Sequence, residues 1–128
     1  MTAGTLPPLA IIVVEDNEDM AQSTAELLSL FGCRVRIARQ AGEVPGLVAA
    51  EPVDAVLIEP LLPGAWDVVR QLRQKEKPPF LVAITCYGNE RARQQSADAG
   101  IDIHLVKPVD PALLIDLLRR NAPPATPK

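Results

Sequence analysis

Five short apolar runs in this chain each end on polar residues whose types could do chemistry together. Glu15 and Asp16 follow the first run, Glu59 the third, Thr85 the fourth and Lys107 the fifth. Three carboxylates converging on one pocket repel one another unless a cation sits among them. Hard oxygen donors on an open site suit magnesium with several retained waters. A lysine and a hydroxyl alongside would complete a place for a phosphoryl group, by charge and by hydrogen bonding. Whether these residues meet depends on the elements that carry them.

The runs Leu9 to Val14, Ala55 to Ile58, Phe80 to Thr85 and Ile103 to Val106 are continuous and rich in aliphatic side chains. That is how strands covered on both faces of a parallel sheet read. Val35 and Ile37 alternate with Arg34 and Arg36, which suits an edge strand with one wetter face. Helical spacing follows each strand: Met20 to Phe31, with Asp19 as the expected cap and Gly32 as the stop; an irregular helix over Gly42 to Ala50, interrupted by Pro45-Gly46; then Trp66 to Lys75. A polar helix opens at Asn89 or Glu90 and ends at Gly100, and a last one begins near Pro111. Five strand-then-helix units imply an α/β fold, a parallel sheet with five helices on its two faces. In such a fold a site forms beyond the carboxyl ends of the strands.

The strand-end segments resemble those of receiver domains from two-component response regulators and hybrid histidine kinases. Glu15-Asp16-Asn17 resembles the acidic magnesium pair, and Leu62-Pro63-Gly64 the loop after the phosphoacceptor. Ile84-Thr85-Cys86-Tyr87-Gly88 resembles the switch-threonine segment, and His104-Leu105-Val106-Lys107-Pro108 the lysine motif with its cis bond. The resemblance spans Leu9 to Arg120 and implies a flavodoxin-like, doubly wound five-stranded sheet in the order 2-1-3-4-5. It implies a magnesium site at Asp16, Glu15 through water, Glu59 and the Leu61 carbonyl. It also implies phosphoryl contacts from Thr85 and Lys107, and a switch made by Thr85 and His104, the latter standing where the family carries Tyr or Phe. The implied partners are a sensor histidine kinase, a phosphotransfer protein, an output protein or a second copy, through the face near Glu90 to Leu118.

The chain departs from the family where the phosphoryl group would attach. Glu59 stands in the acceptor aspartate's place, Pro60 follows it, and the loop into the next helix is short. One extra methylene moves a carboxylate by more than an ångström, and in a reaction catalysed by positioning such a shift costs on the order of 100-fold. The extra length also lets Glu59 reach toward Lys107 and Thr85. The expectation is an atypical receiver, poorly phosphorylated and working by protein contact; the alternative is phosphoacceptance by Glu59 itself. A magnesium-dependent phosphohydrolase or toprim-like enzyme is a reading from another class. It lacks an Asp-x-Asp pair, a Gly-rich phosphate loop, a Gly-x-Ser-x-Gly elbow and a nucleophile arrangement, so no catalytic residue is assigned.

Composition bounds the rest. With 128 residues and 48% hydrophobic content the chain suits one domain over residues 9–121, with Pro-rich tails at 1–8 and 122–128 expected to be disordered. A net charge of −3 lacks the basic footprint of a nucleic-acid binder. No apolar run approaches the ~18–20 residues that cross a bilayer, and no secretory leader is evident, so a cytoplasmic protein is expected. Cys33 and Cys86 have no metal-ligand spacing and read as reduced, buried small residues.

Overall fold

The computed structural model describes residues 8–122. Its five strands are β1 (Ala10–Val14), β2 (Arg34–Ala38), β3 (Ala55–Ile58), β4 (Phe80–Thr85) and β5 (Ile103–Val106). They form one parallel sheet in the order β2-β1-β3-β4-β5. Its helices are α1 (Glu18–Leu30), α2 (Val44–Ala50), α3 (Ala65–Arg73), α4 (Glu90–Ala99) and α5 (Pro111–Asn121). This is the flavodoxin-like architecture implied by the motifs.

Alternation along the strands divides the core in two. Ile12 and Val14 of β1, with Val56 and Ile58 of β3, turn toward Val44, Val69 and Leu72 of α2 and α3. Ile11 and Val13, with Leu57 and Val82, turn the other way toward Leu28 of α1 and Leu114 and Leu118 of α5. Because each central strand buries both faces, β1 and β3 are apolar at every position. Chain order reverses between β1 and β3, so their carboxyl ends flank the crevice where such sheets bind ligands.

Local chemistry sets the element ends and corrects several expected ones. The cap of α1 is Asn17, not Asp19: Asn17 has extended backbone and its side chain accepts the Met20 N–H, whereas Asp19 lies in the first helical turn. The third helix begins one residue before Trp66, directly after Gly64 at φ 78°, and ends at Arg73, two residues before Lys75. The irregular second helix resolves into a 3₁₀ turn, Ala41–Glu43, and a seven-residue α2. Pro45 falls in its first turn, where no N–H is needed. Asn89 caps α4 and Gly100, at φ 110°, ends it. Cys33 is buried as expected, but Cys86 is exposed because it lies beyond β4 in the loop.

The expected tails fall almost wholly outside the described residues. Pro8, exposed, and Ala122, half-buried against the core shared by α1 and α5, lie within them.

Candidate functional site at the strand ends

The parallel ladder continues one residue past the strands and so fixes the site residues from the backbone outward. Glu15 N–H donates to Ala38 O, Glu59 N–H to Val14 O at 3.1 Å, and Lys107 N–H to Thr85 O at 2.8 Å. The Lys107–Pro108 bond is cis, matching the lysine motif. Glu15 and Glu59, each 9% exposed, are thereby carried to one spot from neighbouring strands.

Lys107 Nζ stands between them, 3.0 Å from Glu15 Oε1 and 3.0 Å from Glu59 Oε1. Each carboxylate gives its other oxygen to the backbone: Asn17 N–H donates to Glu15 Oε2 at 3.2 Å and Leu61 N–H to Glu59 Oε2 at 3.1 Å. Burial by itself would push the Lys107 ammonium toward deprotonation. The hydrogen bonds and charges of Glu15 and Glu59 outweigh it, and the pKa lies above the ordinary 10.5.

The remaining expected residues lie around this triad without joining it. Asp16 is exposed, and it is its backbone carbonyl that is engaged, by Arg39 at 3.3 Å. Thr85 is 2% exposed and its Oγ1 accepts the Tyr87 N–H at 3.4 Å. Glu59 thus reaches Lys107, and no side-chain hydrogen bond among the described residues joins it to Thr85. Leu61 contributes its N–H to Glu59, with its side chain 66% exposed.

A magnesium ion needs near-octahedral oxygen donors about 2.0–2.1 Å away, several of them waters. Here the space between the two buried carboxylates holds an ammonium, and both outer oxygens are tied to backbone N–H groups. Among the described residues no group of three or more His, Cys, Asp or Glu side chains is gathered closely enough to hold a metal ion. The donor set as arranged does not fit magnesium; Lys107 supplies one positive charge against the two carboxylates. Of the ligand set expected at Glu15, Asp16, Glu59 and the Leu61 carbonyl, Glu15 and Glu59 meet on Lys107, Asp16 is exposed, and Leu61 donates its N–H to Glu59.

His104 is wired to a different neighbourhood. Its Nε2 is 2.8 Å from Tyr87 O and its Nδ1 is 2.6 Å from Ser96 Oγ. A carbonyl only accepts, so Nε2 carries the proton and Nδ1 accepts from the Ser96 hydroxyl in the neutral ring. Ser96, 1% exposed on α4, was missed by the sequence reading, which saw a polar helix and no reason to bury one serine. Arg93 adds bonds to Gly88 O at 3.0 Å and His104 O at 3.3 Å. Gly88 is required there: a Cβ would sit 2.5 Å from Val106 Cγ2. Trp66, in the first turn of α3, lines with Tyr87, Thr85 and His104 a cleft of about 260 Å³.

The sequence of residues 11–119 matches the family model described as response regulator receiver domain. Response regulator MprA of Mycolicibacterium vanbaalenii is 31% identical over 122 residues, covering 91% of this chain and 53% of that protein. An uncharacterized 14.6 kDa protein of Leptolyngbya boryana is 29% identical, covering 91% and 92%. The chain thus spans about half the length of the response regulators it matches. In fold, chemotaxis response regulator CheY4 of Vibrio cholerae superposes with a TM-score of 0.80 at 20% identity, over 89% of this chain and 98% of that one. A CheY-like receiver domain protein from Methanospirillum hungatei gives 0.79 at 24% identity, over 89% and 93%. With the motifs, the sheet order and this match over most of its length, the chain belongs to the response regulator receiver domain family.

Proposed function

We propose that this receiver domain of two-component signalling is atypical: Glu59 stands in the phosphoacceptor position, is phosphorylated poorly or not at all, and the domain acts mainly by protein contact. The observation that carries this is the engagement of both Glu59 oxygens, one by Lys107 Nζ at 3.0 Å and one by the Leu61 N–H at 3.1 Å. A nucleophilic carboxylate must present a lone pair in line with the incoming phosphorus. Here each oxygen already accepts one hydrogen bond, from an ammonium or a backbone donor, which makes its remaining lone pair a poorer nucleophile, on a side chain one methylene longer than aspartate's.

The same contacts make Glu59 a partial stand-in for a phosphoryl group. It offers Lys107 an anionic oxygen, though with one charge where a phosphoryl group brings about −1.5 to −2. Thr85 and Lys107 remain the phosphoryl-site residues by position, and Thr85 with His104 the switch pair. The partner is a histidine kinase, a phosphotransfer protein, an output protein or a second copy, met through the α4–β5–α5 face. Among the described residues no helix is long and apolar enough to cross a membrane; a cytoplasmic setting is part of the proposal.

The test compares wild type with Glu59→Asp for binding to the cognate kinase or output segment, with and without acetyl phosphate. Wild-type affinity should be unchanged by the donor, while Glu59→Asp should bind more weakly without donor and respond to it. A wild-type affinity that rises with acetyl phosphate would contradict the reading.

A further inference from the structure

Helices α1 and α5 do not close over the sheet at its carboxyl end. Between them lies a half-open cleft of about 480 Å³ whose accessible lining is mainly Met20, Thr24, Leu27, Ile84 and Val109, over the buried Leu28, Leu57 and Leu114. Thr24, with only two heavy atoms beyond Cβ, also faces it and leaves part of the width unfilled. At its rim Met20 and Leu27 are 38% and 41% exposed, large apolar side chains that the fold leaves in water. The volume falls in the range of roughly 300–1,000 Å³ of small-molecule pockets, which combine an apolar lining with a few placed polar groups.

Those polar groups are Glu15, Glu59 and Lys107, all of which line the cavity. Two carboxylates against one ammonium leave one net negative charge, in surroundings where charge is weakly screened. An anionic head group would meet repulsion there. A neutral one would displace water from the carboxylates without returning a charge. An ammonium returns both charge and N–H donors to carboxylate oxygens, each of which has a second lone pair beyond the bond it already accepts.

We propose that the cleft between α1 and α5 binds a small organic ammonium ion, its apolar body against Met20, Leu27, Ile84 and Val109 and its head on Glu15 and Glu59. Such a head shares oxygens with Lys107, so ligand occupancy and the Lys107 pairing are energetically coupled. The site would give the domain a chemical input at its strand ends that does not depend on whether Glu59 accepts a phosphoryl group.

Phenethylammonium, hydrocinnamate and phenethyl alcohol carry similar apolar bodies with cationic, anionic and neutral heads. Titrated into the whole chain by calorimetry and methyl-resolved NMR, the ammonium should bind at least about tenfold tighter than either of the others. Its shifts should centre on the methyls of Met20, Leu27, Ile84 and Val109. Glu59→Gln should erase the preference for the cation, and Thr24→Phe, which fills the cavity, should weaken all three compounds. If Thr24→Phe does not fold, the wild-type series still decides. Equal or tighter binding of the carboxylate or alcohol, no binding of the ammonium, or shifts confined to another surface would each overturn the proposal.

Discussion

Acidic side chains stand at both edges of the sheet, and their partners differ. Where the strands begin, Asp54 Oδ2 accepts the Ala10 N–H and Asp102 Oδ2 accepts the Leu81 N–H, both at 2.8 Å. Each stitches the start of one strand to its neighbour, and Asp102 is further held by Arg73 at 2.8 Å. Where the strands finish, backbone N–H groups take only the outer oxygens of Glu15 and Glu59, leaving the inner ones to converge on Lys107. A carboxylate tied to the backbone fixes register. Two carboxylates that share one side-chain cation make a site whose state depends on that cation.

The largest effect that can break this comparison is removal of the shared cation. Lys107→Met leaves two buried carboxylates facing one another without a counter-charge, and should cost about 3–5 kcal/mol in urea unfolding. A loss under about 1 kcal/mol would place the triad among weak, solvated surface pairs.

Next is the opposite edge. Asp54 is 3% exposed, and Asp54→Ala strands the Ala10 N–H, so about 1–3 kcal/mol should be lost. Partner binding per folded molecule should not change, whereas Lys107→Met should change it. Equal effects of the two variants on binding would erase the distinction between the edges.

Alkaline pH sharpens the account of the triad. The folded pKa of Lys107 lies above its ordinary 10.5, so its contribution to stability is fully present below that value. It is lost as pH rises through the folded pKa. Urea midpoints between about pH 9 and 12 should fall more steeply for wild type than for Lys107→Met; parallel curves would show that the pairing does not stabilise the fold.

Smaller still is the α4 connection. Ser96→Ala removes the donor to His104 Nδ1 and should cost about 0.5–1.5 kcal/mol. It should change the imidazole nitrogen signals while leaving the Lys107 ammonium unmoved, since no hydrogen bond among the described residues joins the two.

Much of this was legible in the sequence for a physical reason. β1 and β3 bury both faces, so they read as short aliphatic runs that Glu15 and Glu59 follow directly, and Lys107 directly follows β5. The charge arrangement was less legible. Strand-end spacing places three carboxylates near one point, yet it does not say that Asp16 turns to solvent or that the lysine fills the space expected for magnesium. Those outcomes depend on side-chain torsions. Asn17 and Asp19 are both good caps, and only the backbone conformation at Asn17 decides between them. Asp54 and Ser96 were missed because a lone polar residue gives no sign of its partner, and their burial follows from pairing with Ala10, 44 residues away, and His104, eight residues away on the next strand.

The most direct test of the central claim is incubation of the whole chain with acetyl phosphate and magnesium, read by intact mass. The account predicts no stoichiometric gain for wild type, because both Glu59 oxygens are engaged, and a gain of one phosphoryl group for Glu59→Asp. A stoichiometric gain by wild type that disappears in Glu59→Gln would contradict it.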